Sequence, residues 1–205
     1  TYSTSDADSR STVRAAVNIG NCFPLLELTM MLEGYYAGSS TMQSVLLNQA
    51  VKSVSYLQTD SVTIELRPEA NPATVYASIR GVVMTDGKIT CALPARAAGQ
   101  SFYVAVYHRN TVQSWSNAIL INPTFTTYDF TSGQSQTFAD NASMVDIGVY
   151  AFYTGDLNQD EFVDAGDFPL FDFDNSEGLF GDYYATDMNG DGFVDAGDFP
   201  FYDQN

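Results

Sequence analysis

Two twelve-residue stretches near the end of the chain constrain it more than any other feature. They read Asp156-Leu157-Asn158-Gln159-Asp160-Glu161-Phe162-Val163-Asp164-Ala165-Gly166-Asp167 and Asp187-Met188-Asn189-Gly190-Asp191-Gly192-Phe193-Val194-Asp195-Ala196-Gly197-Asp198. The copies are offset by 31 residues and agree at 12 of the 17 positions from Asp156 to Asp172. Each carries Asp or Asn at positions 1, 3, 5, 9 and 12. That spacing curls a loop around one hard cation, with side-chain oxygens at 1, 3, 5 and 12, a backbone carbonyl at 7 and a water held by position 9. An all-oxygen shell of this size suits Ca²⁺ better than Mg²⁺, which demands a tighter octahedron. The expected ligands of one ion are Asp156, Asn158, Asp160, Phe162, Asp164 and Asp167. Those of a second are Asp187, Asn189, Asp191, Phe193, Asp195 and Asp198. Charge points the same way. The formal net charge is −17, and the last fifty residues hold fourteen Asp and Glu with no Lys or Arg. Two Ca²⁺ would offset four units where the oxygens converge. At position 6 the second loop has Gly192 and the first has Glu161, where a positive φ strains the backbone. The second loop is therefore expected to bind more tightly.

The ligand pattern resembles the duplicated calcium loops of dockerin modules, which use Asp at position 12 where the EF-hand uses Glu. The resemblance covers roughly the last quarter of the chain. It implies two loop-then-helix units, with Val163 and Val194 side by side between the loops. Pro169 and Pro200 suit the first turn of each following helix, and a helix of about one turn is expected there.

The rest of the chain alternates with period two, the mark of half-buried strands. After a polar arm, Val13, Ala15, Val17 and Ile19 form one face of a short strand. Leu26 to Glu33 alternates again and runs on to Tyr36. Residues 37–60 read as a long loop with a helical turn near Val45 to Gln49. Further strands are expected at Val62 to Leu66, closed by Pro68, and at Val75 to Met84. An Asp86-Gly87 hairpin turn of the primed type then leads into Lys88 to Leu93. Ser101 to Arg109, Ala118 to Ile121, Tyr128 to Phe130 and Val145 to Tyr153 follow. Many short strands with little helical pattern predict a mainly β protein, an antiparallel immunoglobulin-like β-sandwich. The expected division is an arm and candidate donor strand at 1–20, the sandwich at 21–154, and the calcium module at 155–205. No Pro/Gly/Ser-rich linker precedes Asp156, so a fixed junction is expected.

Leu26 to Tyr36, the Ser101–Trp115 segment with His108-Arg109-Asn110, and the run into the loops also resemble a recurrent C-terminal region of secreted proteins from Bacteroidetes-type bacteria. That resemblance implies export to the cell surface or beyond and names no activity. Cys22 and Cys91 are the two cysteines, and an oxidising compartment would join them in a disulfide.

Several functions are disfavoured. A strongly acidic chain repels nucleic acid and anionic membranes, and no run approaches 18 apolar residues. His108 is the one histidine, which precludes a His-x₃-His zinc motif. Neither a Gly-x-Ser-x-Gly elbow nor a phosphate-binding Gly-x₄-Gly-Lys loop is present. The reading is a non-enzymatic, calcium-stabilised extracellular structural subunit. Its strand Val13, Ala15, Val17, Ile19 would complete the sheet of a neighbouring copy, head to tail, and so build a filament. The alternative is a C-terminal accessory, attachment or carbohydrate-binding module of a larger secreted protein, with sugars stacking on the many Tyr rings.

Overall fold

The computed structural model describes residues 23–205. The arm, the strand Val13–Ile19 with Ala15 and Val17, and Cys22 lie outside the described residues. Cys91 is buried, and desolvation pushes its thiol up to about 11.

The described chain is mainly β. Val62, Ile64 and Leu66 alternate with polar residues, and this period builds β4 (Gln58–Pro68), the longest strand. It sits second in a sheet with β5 (Ala77–Met84), β7 (Ser101–His108) and β8 (Thr111–Trp115), in the order β5-β4-β7-β8. A short β9 (Ile119–Leu120) also pairs with β7, and every pairing in this sheet is antiparallel. The second sheet has three strands: β1 (Leu25–Thr29) lies between β6 (Lys88–Ala92) and β10 (Phe125–Asp129). Inward faces of both sheets supply one core. Leu26 and Leu28 meet Ile64, Leu66, Val104 and Phe102 there, with Phe130 and Phe152 edge-to-face at 5.1 Å. Small pieces complete the body: β2 (Tyr36–Gly38) with β3 (Thr41–Met42), the one-turn helix α1 (Val45–Asn48), and the hairpin β11 (Ser143–Asp146) with β12 (Val149–Ala151).

Four expectations need correction. The sandwich is not purely antiparallel, because β1 and β10 run parallel, Leu25 opposite Phe125 through Thr29 opposite Asp129. Parallel neighbours need a long crossover, and the whole five-stranded sheet is that crossover. Asp86-Gly87 does not close a hairpin. Gly87 N–H donates to Met84 O at 2.9 Å, and the chain then leaves β5 for the other sheet, where β6 pairs with β1. Residues 145–153 form two strands rather than one, folded at Gly148. Strand β8 was not expected as a separate element, since Ser114 interrupts its apolar face.

The helices also differ from expectation. Helix α2 (Phe168–Glu177) runs ten residues and helix α3 (Phe199–Gln204) six. Pro169 and Pro200 begin these helices, where no intrahelical N–H is lost, and do not limit their length. Gly178 ends α2 in the left-handed conformation, with its N–H bonded back to Asn175 O. Val163 and Val194 are not paired by any backbone bridge among the described residues. The second loop instead pairs with the segment before it: Phe180 bridges Phe193, and Val194 N–H donates to Leu179 O at 2.9 Å. Val194 is buried in a second, smaller apolar cluster with Leu157, Phe171 and Met188.

Backbone bonds hold the chain to the sandwich up to the start of the first loop. Phe152 N–H donates to Met31 O at 2.9 Å, Glu33 N–H to Phe152 O at 3.1 Å, and Gly155 N–H to Asn110 O at 2.8 Å. Near the C-terminus, Asn205 Nδ2 donates to Glu33 Oε2 at 2.6 Å and Thr154 O at 2.9 Å.

Candidate functional site: two acidic loops and a buried polar seam

Each loop is folded by its own carboxylates. In the first, Asp156 Oδ1 and Oδ2 accept the N–H of Asp160 (3.1 Å) and Glu161 (3.2 Å). Asp167 Oδ1 accepts the N–H of Leu157 (2.7 Å) and Asn158 (3.0 Å), and its Oδ2 that of Asp164 (2.9 Å). The second repeats the scheme. Asp187 takes Gly190 and Gly192 N–H, each at 2.8 Å, and Asp198 takes Asn189 (2.9 Å) and Asp195 (3.0 Å). Asn158 and Asn189 at position 3 each accept the N–H of position 5 at 2.8 Å. The expected side chains at positions 1, 3, 5, 9 and 12 therefore share one small loop in both copies.

Whether those residues suit a cation is decided by burial. Asp156, Asp167, Asp187 and Asp198 are all buried, and no Lys or Arg follows Asp156 in the sequence. Burial drives Asp156 up to about 6 against its backbone hydrogen bonds, with the charge of Asp167 adding. Burial drives Asp198 up to about 7, with Asp187 adding, and Asp187 is raised for the same first reason. Paired buried carboxylates without a cationic side chain are unstable as anions, so the donor set fits a hard cation. Even so, among the described residues no three His, Cys, Asp or Glu side chains converge in metal-ligand geometry. Their oxygens are turned onto backbone N–H groups.

The loops differ in what they touch. Gln159 (φ 61°) and Glu161 (φ 78°) adopt the left-handed conformation that Gly190 (φ 74°) and Gly192 (φ 94°) adopt in the second copy. The second copy uses glycine because it is pressed on the sandwich. A Cβ on Gly190 would meet Val45 Cγ2 at 2.4 Å, and one on Gly192 would meet Asn48 O at 2.6 Å. Across this contact Gln49 Nε2 donates to Asp187 Oδ2 at 2.6 Å, and Asn48 Nδ2 to Gly190 O at 2.8 Å.

Behind it lies a buried polar seam that the sequence reading missed. Asp60 Oδ2 accepts from Arg109 Nε at 2.9 Å and His108 Nε2 at 3.1 Å, and Oδ1 accepts from the Tyr183 hydroxyl. Arg109 stacks 4.0 Å from the Tyr183 ring, donates to Tyr184 O, and reaches Tyr35 Oη (2.7 Å) and Gln49 Oε1 (2.8 Å). Asn110 Nδ2 donates to Ala185 O at 3.0 Å. A signal was present. Asp60 continues the inward Val62-Ile64-Leu66 face, and His108 the Phe102-Val104-Val106 face, on neighbouring strands.

Burial holds His108 below its ordinary pKa, so it is neutral at pH 7. Burial alone would raise Asp60, but the His108 hydrogen bond and the Arg109 charge hold it well below the usual carboxylate range. The unfolded chain protonates His108 near pH 6.5 and the folded one only lower, so stability is lost as pH falls through that window. Thermal melts between about pH 7 and 5 should show wild type losing stability relative to His108→Gln. A difference between the two that stays level across that range would refute the assignment.

No family model matches the chain, and no curated protein matches it. Among solved structures it is similar to a chain of a type II cohesin–X-dockerin complex from Acetivibrio cellulolyticus, an N-terminal interface mutant. Identity is 11% over 88% of this chain and 94% of that one, with a TM-score of 0.52. A C-terminal interface mutant of the same complex gives 10% identity, the same coverage and a TM-score of 0.50. At such identity the likeness speaks to fold alone.

Proposed function

We propose that the chain is a non-enzymatic, calcium-stabilised structural module of an extracellular bacterial protein, with residues 155–205 a dockerin-like unit holding two Ca²⁺. The observation that carries this reading is the pair of buried carboxylates in each loop, Asp156 with Asp167 and Asp187 with Asp198, which form no ion pair with Lys or Arg among the described residues. The separate apolar clusters support the division at residue 155. The cohesin–dockerin likeness is in keeping with a protein that binds other proteins, and no helix among the described residues is long and apolar enough to cross a membrane. Calorimetric titration tests the metal and the ranking of the sites. Glu161→Gly relieves a left-handed non-glycine residue, worth about 1 kcal/mol, and should tighten the weaker site about fivefold. Unchanged affinities would separate loop strain from binding.

The same reading includes head-to-tail assembly through Val13, Ala15, Val17 and Ile19. It is supported by the three-stranded sheet, in which, among the described residues, β6 and β10 each pair with β1 alone. Deleting residues 1–20 should leave a folded monomer, and Val17→Asp should shorten or abolish fibres seen by negative-stain imaging in calcium. Fibres that persist after the deletion favour the accessory-module alternative.

A further inference from the structure

We infer that the outer face of the five-stranded sheet, where it meets the first acidic loop, is a binding cleft for a neutral oligosaccharide. A cleft of about 690 Å³ opens there, within the size range of small-ligand sites. A second lobe of about 470 Å³ adjoins it and shares Pro72, Gln113, Trp115 and Glu161 with the first. Three rings of the sandwich form one wall, and Phe162 of the first loop also lines the cleft. Tyr103 lies 6.3 Å from Trp115 at 52° and 6.3 Å from Phe138 at 79°. Phe138 is 60% exposed, so its face is open to a ligand.

These rings are held in place before any ligand arrives. Trp115 and Tyr103 project from the solvent side of β8 and β7, and the Arg67 guanidinium lies 5.5 Å over the Trp115 ring. Arg67 is itself bonded to Glu65 and, at 3.0 Å, to Tyr107 Oη. A ring fixed this way loses little freedom on binding.

Polar chemistry around the rings selects the ligand. Gln113, Asn141 and Glu161 line the larger lobe, which contains no Lys, Arg or His. Amides and a carboxylate satisfy paired hydroxyls, and flat rings accept the C–H face of a pyranose. An anion finds Glu161 and a strongly acidic chain, and the Arg67 guanidinium of the second lobe is already paired with Glu65. An extended peptide finds no backbone to pair with, because the outer edge of β8 is already taken. Val112 N–H donates to Tyr153 O at 2.9 Å, Asn141 Nδ2 donates to Gln113 O at 3.3 Å, and Ser116 bridges Thr137. Recognition in this cleft therefore runs through side chains alone. The inference deepens the carbohydrate-binding alternative and requires no assembly.

Trp115 is the single tryptophan of the chain, so its emission reports this cleft and nothing else. The full chain would be titrated with cellohexaose, xylohexaose and mannohexaose, with an oligogalacturonate as the acidic control. At least one neutral sugar should give a saturable emission change and a matching calorimetric signal. Phe138→Ala should weaken it roughly tenfold, the loss of about one ring contact, and Phe138→Leu by less. Tyr56→Ala removes an exposed ring outside the cleft and should leave affinity unchanged. The proposal is overturned if all three neutral sugars are silent at millimolar concentration, if the acidic sugar binds best, or if both Phe138 variants, shown to be folded, bind as wild type.

Discussion

Replacing Asp60 with alanine is expected to destabilise the protein by about 3–5 kcal/mol, the effect of breaking a buried ion pair by removing one partner. The reason is what stays behind. Asp60 is fully buried and receives Arg109, His108, Tyr183 and the Ser61 N–H. Without it, the Arg109 guanidinium remains between the sandwich and the Tyr183–Asp187 segment with no carboxylate, and the Tyr183 hydroxyl loses its acceptor. Against a typical total of about 5–15 kcal/mol, that loss is a large fraction. Urea unfolding should give a lower midpoint, and hydrogen exchange should show residues 183–190 opening first. A shift below about 1 kcal/mol would mean that the seam carries little of the stability.

On the proposed calcium reading, removing the metal is expected to have a comparable effect. Binding to the native state alone adds about 2.7 kcal/mol per site at one hundred times Kd, so two sites contribute about 5 kcal/mol. Chelation should also leave four buried carboxylates facing one another in pairs. The sign of its pH dependence follows from Asp156 near 6 and Asp198 near 7. Groups raised in the folded state keep their stabilising protons at low pH and lose them as pH rises through those values. Melts in EGTA should therefore be weakest above about pH 7, with residues 156–205 unfolding first. A melting temperature that EGTA leaves unchanged would remove calcium from the account.

The legible and illegible parts of this fold divide along a physical line. Local periodicity fixed most strands: Val62-Ile64-Leu66 and Phe102-Val104-Val106 lie inward as their alternation predicts. It also found the turn at Val45, seen as α1. Pairing partners are non-local and left no such mark, which is why the Asp86-Gly87 hairpin and the antiparallel placing of β10 failed. The repeat was legible from spacing, and in both copies the side chains at positions 1, 3 and 12 fold the loop by accepting its backbone N–H groups. The occupancy of the loops was not, because an Asp oxygen serves a backbone N–H as readily as a metal. The polar seam was hardest, because it joins Gln49, Asp60, Arg109 and Tyr183 from four distant stretches. His108 is buried in that seam, where its Nε2 shares the Asp60 carboxylate with Arg109 Nε.

The glycines at the contact between sandwich and loops bear on how this protein can be engineered. Gly34 leaves no room for a side chain, since a Cβ there would sit 2.0 Å from Met188 O. Gly190 and Gly192 make the same demand from the other side. The last fifty residues are therefore not a cassette. Fused to a foreign carrier, they would arrive with a glycine-lined face and the Asp187 carboxylate shaped for a Gln49 amide that the carrier lacks. Swaps between related chains would have to exchange residues 33–49 along with the tail, so that both halves of the joint travel together.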